Sequence, residues 1–539
     1  MKATKFAAVL LLTTALAGCD LAPKMHIPGF GTGSFKEAAP LPQLSPEEAG
    51  SWKVGQPSAA LPRGEWWRVF GDENLNTLED SAQAGNENLK AMVARVQQAR
   101  AAAQVASSYL WPQIDNTTSA ARRQINAAQA GVPAGSATFP VQNDIGTIFG
   151  LSYEIDLFGT VRNQRKAAID EALSAQETLQ SMRLALQADV ADMYFGLQAL
   201  DREINILERG VQVRSDSVDI LRKRVTTGTI TELDLSSNVV DLETTRTQLQ
   251  QAQSDRQVME HALAVLIGKA PADFTFEKKP LTAQIPVIPA GIPSSVLERR
   301  PDISAAQHDL AAANAGIGVA KAAFFPRISL TGTGGFESTR LPDLFKWSSR
   351  TWSIGPSMSL PIFTGGRNTA NLAASRATYD EYVAKYREQV LEAFRDVEDS
   401  LTQLKSLSAQ AQAQQTATDA ARQAEKIATL RYDSGDLGYL ETISARRDAL
   451  ATERSEVQVQ QARLSATIRL IRALGGSWDA PADVPVSAGE TGAVDVAPAP
   501  LAAAPAPATA VQQAAPAAEK PAGKFKFNLK PATDVPLNK

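Results

Sequence analysis

The sequence predicts a mainly α-helical protein with a small transmembrane β-barrel, built from two copies of one structural unit. Three observations support this fold class: an internal repeat, long segments without Pro or Gly, and short segments in which apolar and polar residues alternate. The repeat is visible in residues that return at a nearly constant interval, namely Arg224, Gly228, Leu233 and Gly268 as Arg431, Gly435, Leu440 and Gly475, and Phe158, Arg162 and Asn163 as Phe363, Arg367 and Asn368. A regular spacing of this kind is typical of a unit that is used twice. Each copy is expected to contain two short strands, a very long helix, a Gly-containing turn and a second helix that runs back.

The chain begins like a secreted lipoprotein. An apolar run follows two lysines and ends in small residues before Cys19, so residues 1–18 are predicted to be a signal peptide. Cys19 is the only cysteine, which leaves no partner for an internal disulfide, and its surroundings resemble the lipobox at which bacterial lipoproteins are cleaved and acylated. We therefore expect a lipid on Cys19 that anchors the mature chain to a membrane.

Composition divides the rest of the chain. Residues 19–63 are rich in Pro, Gly and Ala and are predicted to be a tether between the lipid and the body. Residues 480–539 form an Ala- and Pro-rich tail that is predicted to be disordered. The two repeats are placed between these ends, at 64–291 and 292–479.

The helices are predicted from segments that lack helix breakers. Arg367 to Ser434 contains neither Pro nor Gly, and at about 1.5 Å per residue it forms a rod of roughly 100 Å. Its apolar residues recur mostly at intervals of three and four, as in a coiled-coil seam, and the first repeat carries a similar seam from Leu179 to Val211. The shorter return helices are predicted at Leu233 to Ile267 and at Tyr439 to Leu474. Because isolated rods would expose these seams, the helices must pack against each other or against other subunits.

The segments in front of each long helix have the pattern of membrane strands. Phe149 to Leu157 alternates apolar with polar or small residues, and Trp352 to Ile362 does the same, although Pro356 interrupts the apolar face. A third strand is predicted to begin after Pro326, and Pro112 to Arg122 is a weaker fourth candidate. Strands of this length fit a bilayer, since a transmembrane β-strand needs roughly 9–11 residues.

Four strands are too few to close a barrel. The smallest transmembrane barrels have about eight strands, so the chain is expected to pool its strands with copies of itself. Counting alone allows two, three or four subunits. A periplasmic coiled-coil scaffold anchored to the inner membrane is the alternative, but a scaffold has no use for strands that alternate in this way.

These features together resemble the bacterial outer-membrane efflux proteins, the TolC-like factors, and within them the lipoprotein branch called NodT-like or OprM-like. The resemblance covers roughly Gly64 to Trp478. The motifs that carry it are Leu16-Ala17-Gly18-Cys19, Glu65-Trp66-Trp67-Arg68-Val69-Phe70, Leu297-Glu298-Arg299-Arg300-Pro301-Asp302-Ile303, Ala313-Asn314-Ala315, Ile317-Gly318-Val319-Ala320-Lys321, Phe324-Phe325-Pro326 and Ala473-Leu474-Gly475-Gly476-Ser477-Trp478. It implies a homotrimer in the outer membrane, with a barrel of about twelve strands that continues into a periplasmic α-helical coiled-coil tunnel.

The resemblance also implies where partners bind. In the family, the periplasmic ends of the helical hairpins meet an adaptor (membrane fusion) protein, which joins the channel to an inner-membrane pump of the RND type. Here those ends are Arg224 to Leu233 and Arg431 to Leu440. Gly228 and Gly435 suit the positive φ of a tight reversal, while the arginine and leucine that bound each range offer charge and apolar contacts to an adaptor. The competing interpretation is that these residues only shape the turns.

Family members hold the tunnel shut near these tips with rings of aspartate and polar links between helices. This sequence departs from that pattern, since Ser444 stands where an aspartate is expected and the nearest acids are Asp234 and Glu441. Arg446 and Arg447 follow closely, so a Glu441 ring linked to an arginine on a neighbouring helix is the predicted gate. A solvated helix face is the alternative interpretation.

Composition gives little support to other functions. The net charge is −4 with acids and bases interspersed, so no nucleic-acid partner is expected. The three histidines, His26, His261 and His308, sit apart, and spacing assembles no catalytic, metal or cofactor site. The predicted function is a passive conduit, not an enzyme, that exports drugs or other small toxic compounds. The exit duct of a type I protein secretion system is the alternative within the same fold.

One residue points to a different destination. In enteric bacteria an aspartate directly after the lipidated cysteine, where Asp20 stands here, is read as a signal to remain in the inner membrane. The alternating strands favour the outer membrane, and we give them more weight than the sorting signal.

Overall fold

The computed structural model describes residues 20–25, 27, 65–124, 141–279, 281 and 300–476. They all belong to one compact unit, Met1–Asp479, and the predicted tail at 480–539 lies outside the described residues, as does Cys19. The described α-helices are α1 (Glu73–Gly85), α2 (Glu87–Ser108), α3 (Thr160–Thr226), α4 (Glu232–Leu266), α5 (Pro301–Ala322), α6 (Arg367–Asp433) and α7 (Tyr439–Ala473). The strands are β1 (Gln113–Gln124), β2 (Val141–Ile155), β3 (Arg327–Ser338) and β4 (Arg350–Ser359).

The two repeats contain helices of matching length. α3 and α6 have 67 residues each, α4 and α7 have 35 each, and α2 and α5 have 22 each. The predicted long helix of the second repeat and both return helices are confirmed, with ends that differ by one residue. The predicted repeat was incomplete, however, because it omitted the helix that precedes the strands in each copy. Both of these helices are rich in alanine, which leaves little contrast between their faces for a periodicity to reveal.

The strands form one antiparallel sheet in the order β1-β2-β3-β4, which confirms the four predicted strands. Their register gathers the apolar residues onto one face, as in the row Ile114, Leu151, Gly332 and Ile354 that crosses all four strands. The opposite face is polar, and there Thr333 and Ser353 are hydrogen-bonded through their hydroxyl oxygens at 2.7 Å. Pro356 has no N–H to donate, and it stands in β4, which pairs with β3 alone within the described sheet of one protomer.

The long helices pack side by side in the order α4, α3, α7, α6. The ion pairs that join successive members are Arg256–Asp201, Arg454–Glu203 and Arg422–Glu453, each 2.6 Å between nitrogen and oxygen. This order leaves α4 and α6 as the two outer helices of the layer. Within the described ranges, none of the helices has the length and apolar character that a membrane-spanning helix requires.

The main hydrophobic core lies against the middle of α3. Trp66 and Trp67 are buried there, and Trp66 Nε1 donates to Gln187 Oε1 at 3.2 Å. Phe70 packs on Phe195 with 4.9 Å between ring centroids. The tryptophan motif that marked the family resemblance is therefore a packing element that holds the start of the chain's body onto α3.

Arg300 joins the beginning of the second repeat to its end. Its guanidinium group binds Asp302 at 2.6 Å and Asp396 at 3.1 Å, and Nη1 donates to the Ala473 carbonyl at 3.2 Å. Burial lowers the pKa of this guanidinium, but hydrogen bonds and charge from the two aspartates outweigh burial and raise the pKa above its ordinary value. The motifs that open and close the second repeat thus meet in one contact.

Candidate functional site

The two helical hairpins end in turns of the same construction. At the end of α3, the Thr229 N–H donates to the Arg224 carbonyl at 3.0 Å, and at the end of α6 the Asp436 N–H donates to the Arg431 carbonyl at 2.8 Å. This bond closes a Schellman motif, which needs a left-handed residue one position earlier. The left-handed residues are Gly228, with φ of 69°, and Gly435, with φ of 83°. The turn therefore requires the repeated glycine, whereas each arginine contributes only its backbone carbonyl to it.

The side chains at the tips divide into paired and exposed groups. Arg224 Nη1 donates to the Tyr432 hydroxyl at 3.1 Å, which ties the tip of α3 to the end of α6. Tyr432 in turn packs edge-on against Tyr439, with 4.8 Å between ring centroids. Leu233 and Leu440 remain 69% and 56% exposed. The arginine thus braces the tips, and the two leucines form their apolar surface.

Asp234 and Glu441 occupy the same position, the third residue of a return helix. The Asp234 carboxylate accepts from the Thr231 N–H at 3.2 Å and from its hydroxyl at 2.7 Å, and Thr231 Oγ1 accepts from the Asp234 N–H at 3.3 Å. Glu441 folds toward Gly438, where an added Cβ would lie 2.5 Å from Oε2. Among the described residues neither acid forms an ion pair with an arginine. Asp234 completes a capping box at the N-terminus of α4, while Glu441 stands in the first turn of α7.

Arg446 and Arg447 tie α7 to the first hairpin. Arg446 Nη1 donates to Ser217 Oγ of α3 at 3.0 Å, and Arg447 Nε donates to Asp241 Oδ1 of α4 at 2.6 Å. The second oxygen of Asp241 accepts from Arg214 Nε of α3 at 2.7 Å. Asp241 therefore holds three helices together about two helical turns from the tips.

Sequence reasoning missed Asp241 and Arg214. Each of them interrupts the apolar seam of its helix. Arg214 precedes Gly228 and Asp241 follows it, and the two residues are almost equally far from that glycine along the chain. Residues placed in this way face each other in an antiparallel hairpin, and opposite charges there predict an ion pair. The family pattern instead places the expected aspartate in the second repeat, where Ser444 stands.

The remaining residues singled out in the sequence are the histidines, Cys19 and Asp20. No three His, Cys, Asp or Glu side chains converge into a metal site in the described part of the chain. His308 Nδ1 lies 3.3 Å from Asp170 Oδ1, while His26 is outside the described residues. Cys19 is outside them too, but Asp20 is described and contacts the start of α3.

Comparison with known proteins agrees with this architecture. The family model of the outer membrane efflux protein matches residues 78–269 and 292–476. The toluene efflux pump outer membrane protein TtgF of Pseudomonas putida is 33% identical over 494 residues, which cover 89% of this chain and 98% of that protein. Outer membrane protein OprJ of Pseudomonas aeruginosa is 32% identical over 477 residues, which cover 87% and 95%. The CmeC outer membrane channel of Campylobacter jejuni shares the fold with a TM-score of 0.76 at 26% identity, over 86% of this chain and 96% of that chain.

An amphipathic sheet that continues into a layer of long helices is the architecture of an outer-membrane channel with a periplasmic tunnel. The chain belongs to the outer membrane efflux protein family. Its place is the outer membrane, where it is the channel component of a tripartite efflux system.

Proposed function

We propose that three copies of this chain assemble into one channel, that the periplasmic tips bind an adaptor protein, and that an RND-type pump in the inner membrane drives small toxic compounds through it. One observation carries the proposal. Within the described residues, the outer strands of the sheet each lack a second pairing partner, and the outer helices of the layer expose apolar side chains. The channel itself performs no catalytic step in this scheme.

The sheet edges call for further copies of the chain. β1 and β4 each pair with a single strand of the described sheet. Inside a membrane an open edge leaves N–H and C=O groups without hydrogen bonds, which costs several kcal/mol for each group. Pairing β4 of one copy with β1 of the next satisfies both edges, and about twelve strands from three copies suffice to close a barrel.

The outer helices supply a matching interface below the sheet. α4 and α6 carry exposed apolar side chains at Val240, Val258 and Val265 and at Leu391, Ile427 and Leu430. In a ring of copies with the helix order α4, α3, α7, α6, the α4 of one copy meets the α6 of its neighbour. Burial of these side chains then stabilises the trimer at roughly 25 cal/mol for each Å² of apolar surface.

The exposed leucines at the tips support adaptor binding. Leu233 and Leu440 lie in the first turns of α4 and α7, beside turns whose backbone hydrogen bonds are already satisfied within the chain. A threefold assembly presents six such leucines at one end of the tunnel. Apolar anchors inside a polar rim are typical of protein interfaces.

Changing both tip leucines to serine is expected to weaken adaptor binding by at least about tenfold, because burying one leucine contributes roughly 1.5–3 kcal/mol. The measurement is the affinity of the purified channel for the purified periplasmic adaptor of its host. Val105→Ser is the matched control, since Val105 is 58% exposed on α2, away from the tips. Equal affinity of the double variant and the control would remove the leucines from the interface, and native mass spectrometry of each variant checks that the trimer persists.

The gate is proposed to close where α7 is tied to the first hairpin. Opening requires α7 to move away from α3 and α4, and the contacts of Arg446 and Arg447 oppose that movement. Asp234 adds to the closed state by capping α4, and Asp234 and Glu441 together place acid rings near the tips.

Changing both Asp234 and Glu441 to alanine is expected to raise the resting conductance by about fivefold, since loss of the capping box at Asp234 costs roughly 1 kcal/mol and frays the first turn of α4, and both acid rings are lost. Conductance is measured with purified channels in planar bilayers. Glu232→Ala, which removes an acid from the same turn of α4, serves as control. Unchanged conductance of the double variant would exclude both acids from the gate.

The proposal also covers the exported compounds, the lipid anchor and the two repeats. We infer that the exported compounds are small and toxic, like the toluene that gives TtgF its name. Cys19 is proposed to carry the lipid, and residues 64–291 and 292–479 to be the two functional repeats. Acylation is tested by the mass of the mature N-terminal peptide.

A further inference from the structure

The residue beside the proposed lipidation site is held by the folded body of the protein. Asp20 Oδ1 accepts a hydrogen bond from the Ala22 N–H at 3.0 Å and another from Asn163 Nδ2 at 3.2 Å. Asn163 lies in the first turn of α3, far from Asp20 in the sequence. The carboxylate thus faces the N-terminus of a long helix, where the helix dipole favours negative charge.

The donor is fixed in position. Asn163 is 2% exposed, and its Nδ2 also donates to the Gly159 carbonyl at 2.7 Å. Gly318 of α5 backs directly onto it, since a Cβ there would lie 2.7 Å from the Asn163 amide carbon. The amide therefore has no room to turn away from Asp20.

The local charge suits a carboxylate. Burial raises the pKa of the Asp20 carboxyl, but the hydrogen bonds from Ala22 and Asn163, together with the charges of Lys166 and Arg162, outweigh burial and hold the pKa below its ordinary value. The group is therefore ionised at neutral pH, and its hydrogen bond to Asn163 is charge-assisted.

A second contact holds the same segment. Asn314 of α5, which is buried, donates through Nδ2 to the Pro23 carbonyl at 2.9 Å. Leu21, Ala22 and Pro23 are half-buried. The segment that follows residue 19 is thus clamped between α3 and α5.

This clamp lies where the strands meet the helices. β2 ends at Ile155 and α3 begins at Thr160, and the Phe158 ring between them stacks on Phe325 with 4.7 Å between centroids. Exposed aromatic side chains mark this level at Trp111, Phe324 and Phe363. Such residues are typical of the boundary between a membrane and water.

We propose that Asp20 is a docking residue: through Asn163 it fixes the acylated N-terminus at the junction of strands and helices, so that the lipid enters the membrane at the level of this aromatic boundary. The proposal rests on the proposed acylation of Cys19, which one peptide bond joins to Asp20. It gives the aspartate a role in the folded channel that is independent of any sorting signal.

A spin label on Lys24→Cys tests the contact in the purified full-length protein. Lys24 is exposed beside the clamp, and acylation would consume the only natural thiol, so one label per chain reports an acylated Cys19 and two labels report a free one. The label's mobility is compared in the parent chain and in chains that also carry Asp20→Ala or Asn163→Asp. Asn368→Ala is the matched control, because Asn368 holds the same position in the second repeat and donates to the Ala323 carbonyl at 2.8 Å instead.

Docking predicts a slowly moving label in the parent and in the control. Asp20→Ala removes the acceptor and Asn163→Asp adds a like charge, so each is expected to raise the mobile fraction roughly tenfold, as loss of a charge-assisted hydrogen bond implies. If Asn163→Asp disturbs folding, the comparison of the parent with Asp20→Ala still tests the contact, because Asp20 is exposed. Equal mobility in the parent and in Asp20→Ala would overturn the docking role. Two labels per chain would overturn the acylation, and the mobility comparison is then made in chains that also carry Cys19→Ser.

Discussion

Asp241→Asn is expected to raise the resting conductance of the channel by at least about tenfold, because it neutralises a carboxylate that pairs with arginines on two different helices. Asp241 and Arg214 are 5% and 6% exposed, and Arg447 reaches the same carboxylate from α7. Breaking a buried ion pair by removing one partner costs roughly 3–5 kcal/mol, and every 1.4 kcal/mol is about a tenfold change in an equilibrium. With the carboxylate neutralised, the two guanidinium groups repel each other and α7 is released.

Two comparisons make this result specific. Asp448→Asn is the matched control, since Asp448 is the repeat counterpart of Asp241 and is exposed on α7 one residue beyond Arg447. Arg447→Ala removes the tie to α7 while the Arg214–Asp241 pair remains, so it should raise conductance less than Asp241→Asn does. Single-channel recordings in planar bilayers give these values. Conductance of Asp241→Asn no higher than that of Asp448→Asn would show that the carboxylate does not hold the gate.

Arg256→Ala is expected to lower the free energy of unfolding by about 3–5 kcal/mol, because it removes one partner of a buried ion-pair cluster. Arg256 Nε binds Asp201 at 2.6 Å, Nη1 binds Glu260, and Nη2 donates to the Phe276 carbonyl at 2.8 Å. Burial lowers the pKa of this guanidinium, but the two carboxylates outweigh burial and keep the pKa above its ordinary value. The group is charged, and its removal leaves two carboxylates without a counter-ion.

The same cluster clamps an irregular segment onto the helices. Glu260 also accepts from the Phe276 N–H at 2.7 Å, and Asp201 accepts from the Lys279 N–H at 3.0 Å, so the loss spreads to the chain that leaves α4. Denaturant unfolding of the purified protein measures the effect. Arg246→Ala is the control, because Arg246 pairs with Glu243 on the exposed face of the same helix, where a salt bridge contributes less than about 1 kcal/mol. Equal midpoints for the two variants would contradict the role of the buried cluster.

The long helices and the strands could be predicted from the sequence because each depends on the residues of its own segment. The second long helix was predicted to within one residue from the absence of Pro and Gly and from the turn glycine at Gly435. The strands could be predicted because the two faces of the sheet have different surroundings, so apolar and polar residues alternate along each strand. The helices α2 and α5 were missed because alanine is tolerated on both buried and exposed faces, so an alanine-rich helix shows little hydrophobic periodicity.

The contacts at the proposed gate are ones that local sequence patterns do not specify. Asp234 and Glu441 were proposed because they stand beside recognisable turns, and the structure gives Asp234 a capping contact with Thr231. The pairing of Arg447 with Asp241 joins residues about two hundred positions apart, and it depends on how α7 crosses the first hairpin. No periodicity within either helix specifies that crossing.

The sequence by itself determined the repeat, the long helices and the strands, because hydrophobic period and glycine conformation are properties of short segments. The tertiary structure alone decided which charged groups meet. It placed Asp20 beside Asn163 and Asp241 between Arg214 and Arg447, because contacts between distant segments follow from the packing of whole helices against one another.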